Sequence, residues 1–101
     1  MAIKEVKLEL LNDKGELVVY KTNFISARKV RQALEVNAMA EKEDSSEVET
    51  VDAMVNYVAG IIDGVTPDMI WDGLASWDLM ETITRVMGEV LGTDVNLKVS
   101  P

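Results

Sequence analysis

Five aliphatic residues, Val48, Val51, Val55, Val58 and Ile62, recur at steps of three, four, three and four through the middle of the chain. Only an α-helix puts such a series on one face, because 3.6 residues per turn stack positions three and four apart. Met54 and Ile61 widen the stripe. Two heptads are too short for a coiled coil, so the pattern predicts a core-packed helix over about 48–63, with Gly64 at its C-terminal cap.

The same logic predicts three more helices. One spans about 26–41, capped by Ser26, with Val30, Ala33, Leu34, Asn37 and Ala38 on its apolar face. A short one spans about 67–74, with Thr66 as cap, Pro67 in the first helical position and Asp68 favourable to the dipole. Gly73 reads as a weak point in it. The last spans about 76–91, capped by Ser76 and ended by Gly92, with Leu79, Ile83, Val86 and Val90 on one stripe and Met80, Met87 and Leu91 beside it.

The first twenty residues follow a different period. Val6, Leu8 and Leu10 alternate with Lys7 and Glu9, turn residues follow at Asn12-Asp13-Lys14-Gly15, and Leu17-Val18-Val19-Tyr20 returns, which predicts a β-hairpin over 3–21. A lone hairpin is marginal in water, so its apolar face must rest on a helix or a neighbouring chain. Residues 41–47 are mostly charged and read as a mobile internal linker. The tail, 93–101, alternates at Val95, Leu97 and Val99 like an edge strand. The expectation is one α+β domain over residues 1–101: an N-terminal hairpin, a bundle of three to four helices and a possible short C-terminal strand.

Composition removes several function classes. With no Cys and no His, the chain lacks disulfides, thiolate metal sites and the commonest general base and metal ligand. No apolar run approaches the ~20 residues of a membrane span, and the N-terminus lacks a signal-peptide core. Residues 1–42 hold eight Lys/Arg against six Asp/Glu, a net of +2; residues 43–101 hold two against twelve, a net of −10. Phosphate binding needs clustered positive charge, so the acidic part argues against nucleic acid. Opposed charge at the two ends suits head-to-tail association or a basic partner, although the charges also serve simply to solvate a surface.

Catalysis has little to work with. Asp63, Asp68 and Asp72 come closest to a metal set, but they lack the spacing of a calcium loop and fit helix termini better. Ser26, Thr66 and Ser76 read as caps, since no His is available to activate a hydroxyl nucleophile. No catalytic, cofactor or metal residue is assigned. Arg28, Lys29 and Arg31 crowd a first helical turn, where the dipole disfavours cations, so they are candidates for a contact. Trp71 and Trp77 form the only tryptophan pair; burial of at least one in the core is the ordinary expectation, and an exposed aromatic patch the functional one.

The ordered series of hairpin, Lys21-Thr22-Asn23-Phe24, the basic start Ser26-Ala27-Arg28-Lys29-Val30, acidic loop, aliphatic helix and Ile70-Trp71-Asp72-Gly73-Leu74 resembles the tail assembly chaperones of long-tailed phages of Gram-positive hosts. The likeness covers nearly the whole chain and is best over residues 18–36 and 55–92. Ile61–Thr66 lacks the aromatic residues that relatives often carry there. The resemblance implies a non-catalytic protein that keeps the tape-measure protein soluble, helps recruit the major tail protein (chiefly through a longer frameshifted form), self-associates, works in the host cytoplasm and is absent from the finished virion. On this reading the client would meet Trp71, Leu74, Trp77, Met69 and Met80, with Arg28, Lys29 and Arg31 as a second contact and Val95, Leu97 and Val99 in self-association. The rival reading is an acidic inhibitor or DNA mimic that blocks a basic nucleic-acid-binding surface, and a weaker one is a housekeeping adaptor.

Overall fold

The computed structural model describes residues 5–42, 44 and 46–92. Two strands, β1 (Val6–Leu11) and β2 (Leu17–Thr22), are followed by four helices: α1 (Ala27–Ala40), α2 (Glu47–Ile61), α3 (Pro67–Gly73) and α4 (Leu79–Leu91). The fold is α+β, a hairpin followed by a helical bundle.

Asn12 makes the hairpin turn. Its Oδ1 accepts from the backbone N–H of Lys14 and of Glu16, both at 2.9 Å, and its own N–H donates to Glu16 O at 2.9 Å. Gly15 takes φ +77°, a left-handed position that suits glycine. The strands pair antiparallel with Leu8 opposite Tyr20 and Leu11 opposite Leu17. Since the Asn12 N–H donates to Glu16 O, the bonded pairs recur at Leu10/Val18, Leu8/Tyr20 and Val6/Thr22. The odd-numbered residues therefore turn their N–H and C=O away from the hairpin. At Lys7 that outward carbonyl accepts from Arg85 Nη2 of α4 at 2.8 Å. Val6, Leu8 and Leu10 are buried, and β1 packs on α3 and α4.

The core joins these strand residues to Val55, Val58 and Ile62 of the aliphatic stripe, Ile70 of α3, and Ile83, Val86 and Met87 of α4. Val51 and Leu79 pack at its margin, while Val48, in the first turn of α2, is 71 % exposed and lies outside it. Ser46 Oγ caps that turn by accepting from Glu49 N, a role not expected of a linker residue. Residues 43 and 45 of that linker, and Val95, Leu97 and Val99 of the tail, lie outside the described residues.

Four local expectations are corrected. α2 ends at Ile61 with Ile62 at its C-cap position, so Gly64, at φ +85°, stands in the turn beyond and is not the cap. Ser26 stands at the N-cap of α1, but its side chain makes no capping bond. The buried face of α1 centres on Ala33, flanked by half-buried Val30, Val36 and Asn37, whereas Leu34 is 56 % exposed and Ala38 is exposed. The helix, which packs on α2 and α4, therefore buries a small side chain fully and leaves the larger Leu34 outside. α4 begins at Leu79 with Asp78 at its N-cap position, so Ser76 lies in the turn before it and does not cap it.

Candidate functional site

The α3–α4 joint presents the largest apolar side chains to solvent. Thr66 Oγ1 accepts from Met69 N at 3.3 Å and Met69 Sδ accepts from Thr66 N at 3.4 Å, which fixes the start of α3. That start turns Ile70 into the core and leaves Trp71 on the outer side, 41 % exposed. Trp77 follows in the turn before α4 and is 82 % exposed; Met80 projects from the first turn of α4. Neither tryptophan is a core residue. The Val, Ile and Leu residues close the core without them. Leu74 and Met69 are half-buried against that core and form its rim, and Asp68, Asp72 and Asp78 are exposed around them.

Gly73 has a role different from the weak point expected of it. A β-carbon there would fall 2.7 Å from Leu11 O and 3.1 Å from Leu10 Cβ, so the missing side chain lets the end of α3 lie directly on β1. Beside this contact runs a groove of about 350 Å³, with Leu10, Leu11, Tyr20 and Met69 along it and Asp13, Asp68 and Asp72 about it. None of these three carboxylates is ion-paired among the described residues. A second, smaller cleft of about 120 Å³ is lined by Met54, Met80 and Met87, with Leu91 and Asn37. Its methionines come from two helices, α2 and α4, and sequence reasoning did not join Met54 to the other two. The seven-residue step from Met80 to Met87 was the only available signal.

The basic first turn of α1 is divided. Arg28 and Arg31 are exposed, the latter 3.9 Å from Glu35. Lys29 turns inward: its Nζ lies 3.9 Å from where a β-carbon of Gly60 would sit, beside the last turn of α2, which has no basic residue of its own. A cation there meets the negative end of the α2 dipole. Tyr57 Oη donates to Lys29 O at 2.6 Å, and burial pushes the phenol up to about 12. Lys29 thus serves the packing of α1 on α2. The basic turn and Trp71 also belong to different flanks, since α1 packs on α2 and α4 whereas α3 packs on α2 and β1.

Among the described residues, no group of three or more acidic side chains is placed to hold a metal ion, and no helix is long and apolar enough to cross a membrane. The features present are those of a contact surface: exposed aromatics, methionine-lined clefts and unpaired carboxylates. No curated protein and no solved structure matches the chain. A family model described as phage tail chaperone protein matches residues 1–98, and the chain belongs to that family.

Proposed function

We propose that this phage tail chaperone is a non-catalytic holdase, which binds an amphipathic helical segment of the tape-measure protein at the α3–α4 joint. Trp71 and Trp77 are the anchors, Leu74, Met69 and Met80 the adaptable apolar surface, and Asp68, Asp72 and Asp78 a polar rim that speeds encounter with a basic client. In the same reading the protein helps recruit the major tail protein, acts in the host cytoplasm and leaves before the virion is complete. The observation that carries the proposal is the exposure of both tryptophans around a core that is closed without them. Large exposed apolar side chains grouped on one part of a small domain mark interaction sites.

Coexpression with the tape-measure protein tests it. The wild-type chain should keep the client soluble and co-purify with it. Trp71→Ala or Trp77→Ala should weaken the complex by about 2 kcal/mol, the cost of truncating an interface anchor. Folded variants that hold the client as well as wild type would move the site elsewhere. Displacement of the client by DNA would instead favour the nucleic-acid-mimic reading.

A further inference from the structure

β2 is an open sheet edge without the usual protection. Its even-numbered residues exchange backbone bonds with β1, so the N–H and C=O groups of Leu17, Val19 and Lys21 point outward, and among the described residues no hydrogen bond reaches them. Edge strands are ordinarily blunted by charge, proline, a bulge or a covering element. β2 pairs in unbroken register, contains no proline and has Lys21 as its one charged residue. Leu17 and Val19 are exposed on one face, and Val18 and Tyr20 are half-covered on the other. The opposite edge is guarded, since Arg85 takes the Lys7 carbonyl and α3 lies against Leu11.

The face that carries Val18 and Tyr20 adjoins the groove beside α3. Leu10, Tyr20 and Met69 make this groove apolar, and Asp13, Asp68 and Asp72 stand about it without an ion pair among the described residues. Its lining from Leu10 to Asp13 sets it toward the turn end of the hairpin. A strand added to β2 would run about 4.8 Å outside it and turn every second side chain to this face.

We propose that the edge of β2 receives an extended segment of another protein, which pairs with it as a third strand. On the face toward α3 that segment carries apolar residues and, at the end nearest the hairpin turn, an arginine or lysine. The outward backbone groups of β2 supply the pairing, Val18 and Tyr20 meet the apolar residues, and Asp68 and Asp72 meet the cation. The occupant is chosen by charge. A second β2 would bring only Val18, Tyr20 and Thr22 to that face, none of them cationic, while its Lys21 lies on the other face, 3.6 Å from Glu5. The surface is distinct from that of the helical client. It takes an extended chain, uses neither tryptophan, and shares only Asp68 and Asp72 with the client's rim.

Titration of the isotope-labelled full chain, followed by amide NMR spectra, tests it with two end-blocked peptides. Arg-Thr-Val-Thr-Val-Thr and Thr-Val-Thr-Val-Thr-Arg each place the cation on the same face as the valines, and the two orders cover parallel and antiparallel pairing. With one of them the amides of Leu17, Val19 and Lys21 should shift and exchange more slowly with solvent. N-methylation of alternate peptide amides should abolish binding in the phase that faces β2 and leave it intact in the other. Replacing the arginine by glutamate should weaken binding at least about tenfold, and Asp68→Lys with Asp72→Lys should invert that preference. Val19→Pro, which removes an outward N–H and no bond of the hairpin, should bind neither peptide; circular dichroism checks that the variants fold. Trp77→Ala should bind the peptide as wild type does, and a loss there would place the peptide in the client site and overturn the proposal. Peptides that leave the three amides unmoved, bind equally with arginine or glutamate, or tolerate N-methylation in both phases would each overturn it. Shifts at those amides when the protein concentration alone is raised would assign the edge to a second copy, and would overturn it as well.

Discussion

The two strands of the hairpin have the same length and the same alternation, yet the fold treats them differently. β1 buries Val6, Leu8 and Leu10 almost completely, lies under α3 and α4, and has the Lys7 carbonyl on its outer edge taken by Arg85. β2 buries nothing fully. Its inner residues Val18, Tyr20 and Thr22 are half-covered, its outer Leu17 and Val19 are exposed, and among the described residues no hydrogen bond reaches its outward backbone groups. Alternation in a sequence tells which side chains share a face. What covers that face depends on elements elsewhere in the chain.

The contrast predicts a graded set of effects. Leu8→Ala, at the centre of the covered strand, should cost about 2–5 kcal/mol in urea unfolding, because it opens a cavity under two helices. A cost as small as that of a surface residue would mean that β1 is not seated as described. Gly73→Ala should destabilise by about 1–3 kcal/mol, since the new methyl meets the Leu11 carbonyl, a backbone atom that cannot swing aside. If that variant is neutral, α3 does not rest on β1.

Tyr57→Phe tests the helix into which the bare strand leads. It removes one hydrogen bond to Lys29 O and should cost about 1 kcal/mol. It also carries a pH signature. The phenol's pKa is raised from 10.0 to about 12 in the folded chain, so between those values the unfolded state holds fewer protons and stability falls as pH rises. Its contribution is complete below pH 10 and lost by about 12. In the variant this part of the alkaline loss should vanish from thermal melts taken across that window. The smallest effect belongs to the uncovered strand: Leu17→Ser should shift stability by less than about 0.5 kcal/mol. A larger loss would show that something covers β2 in solution.

Much of the fold was legible because periodicity is local. The alternation of Val6, Leu8 and Leu10, the turn at Asn12–Gly15, and the stripe from Val51 to Ile62 each declare their geometry within a few residues. What was not legible depends on approach from afar. Nothing near Gly73 says that Leu11 passes 2.7 Å from its absent β-carbon, and nothing near Lys29 says that Gly60 and Tyr57 lie beside it. Ala33 and Leu34 are neighbours of equal helical promise; only the closeness of α2 and α4 selects the smaller. For the candidate site, residue types were legible but exposure was not. Trp71 and Trp77 stood out as a pair, but burial of at least one was the ordinary expectation, and the core closes around Ile70 without either.

The bond from Arg85 to the Lys7 carbonyl spans 78 residues, and that distance bears on how the chain is made. β1 and its turn leave the ribosome before α4, which helps to cover the strand. A two-stranded hairpin has little stability alone. Val6, Leu8 and Leu10 therefore lack their full cover until synthesis has passed Leu91. During that interval the nascent chain carries an uncovered apolar strand of the kind that β2 still presents in the folded protein.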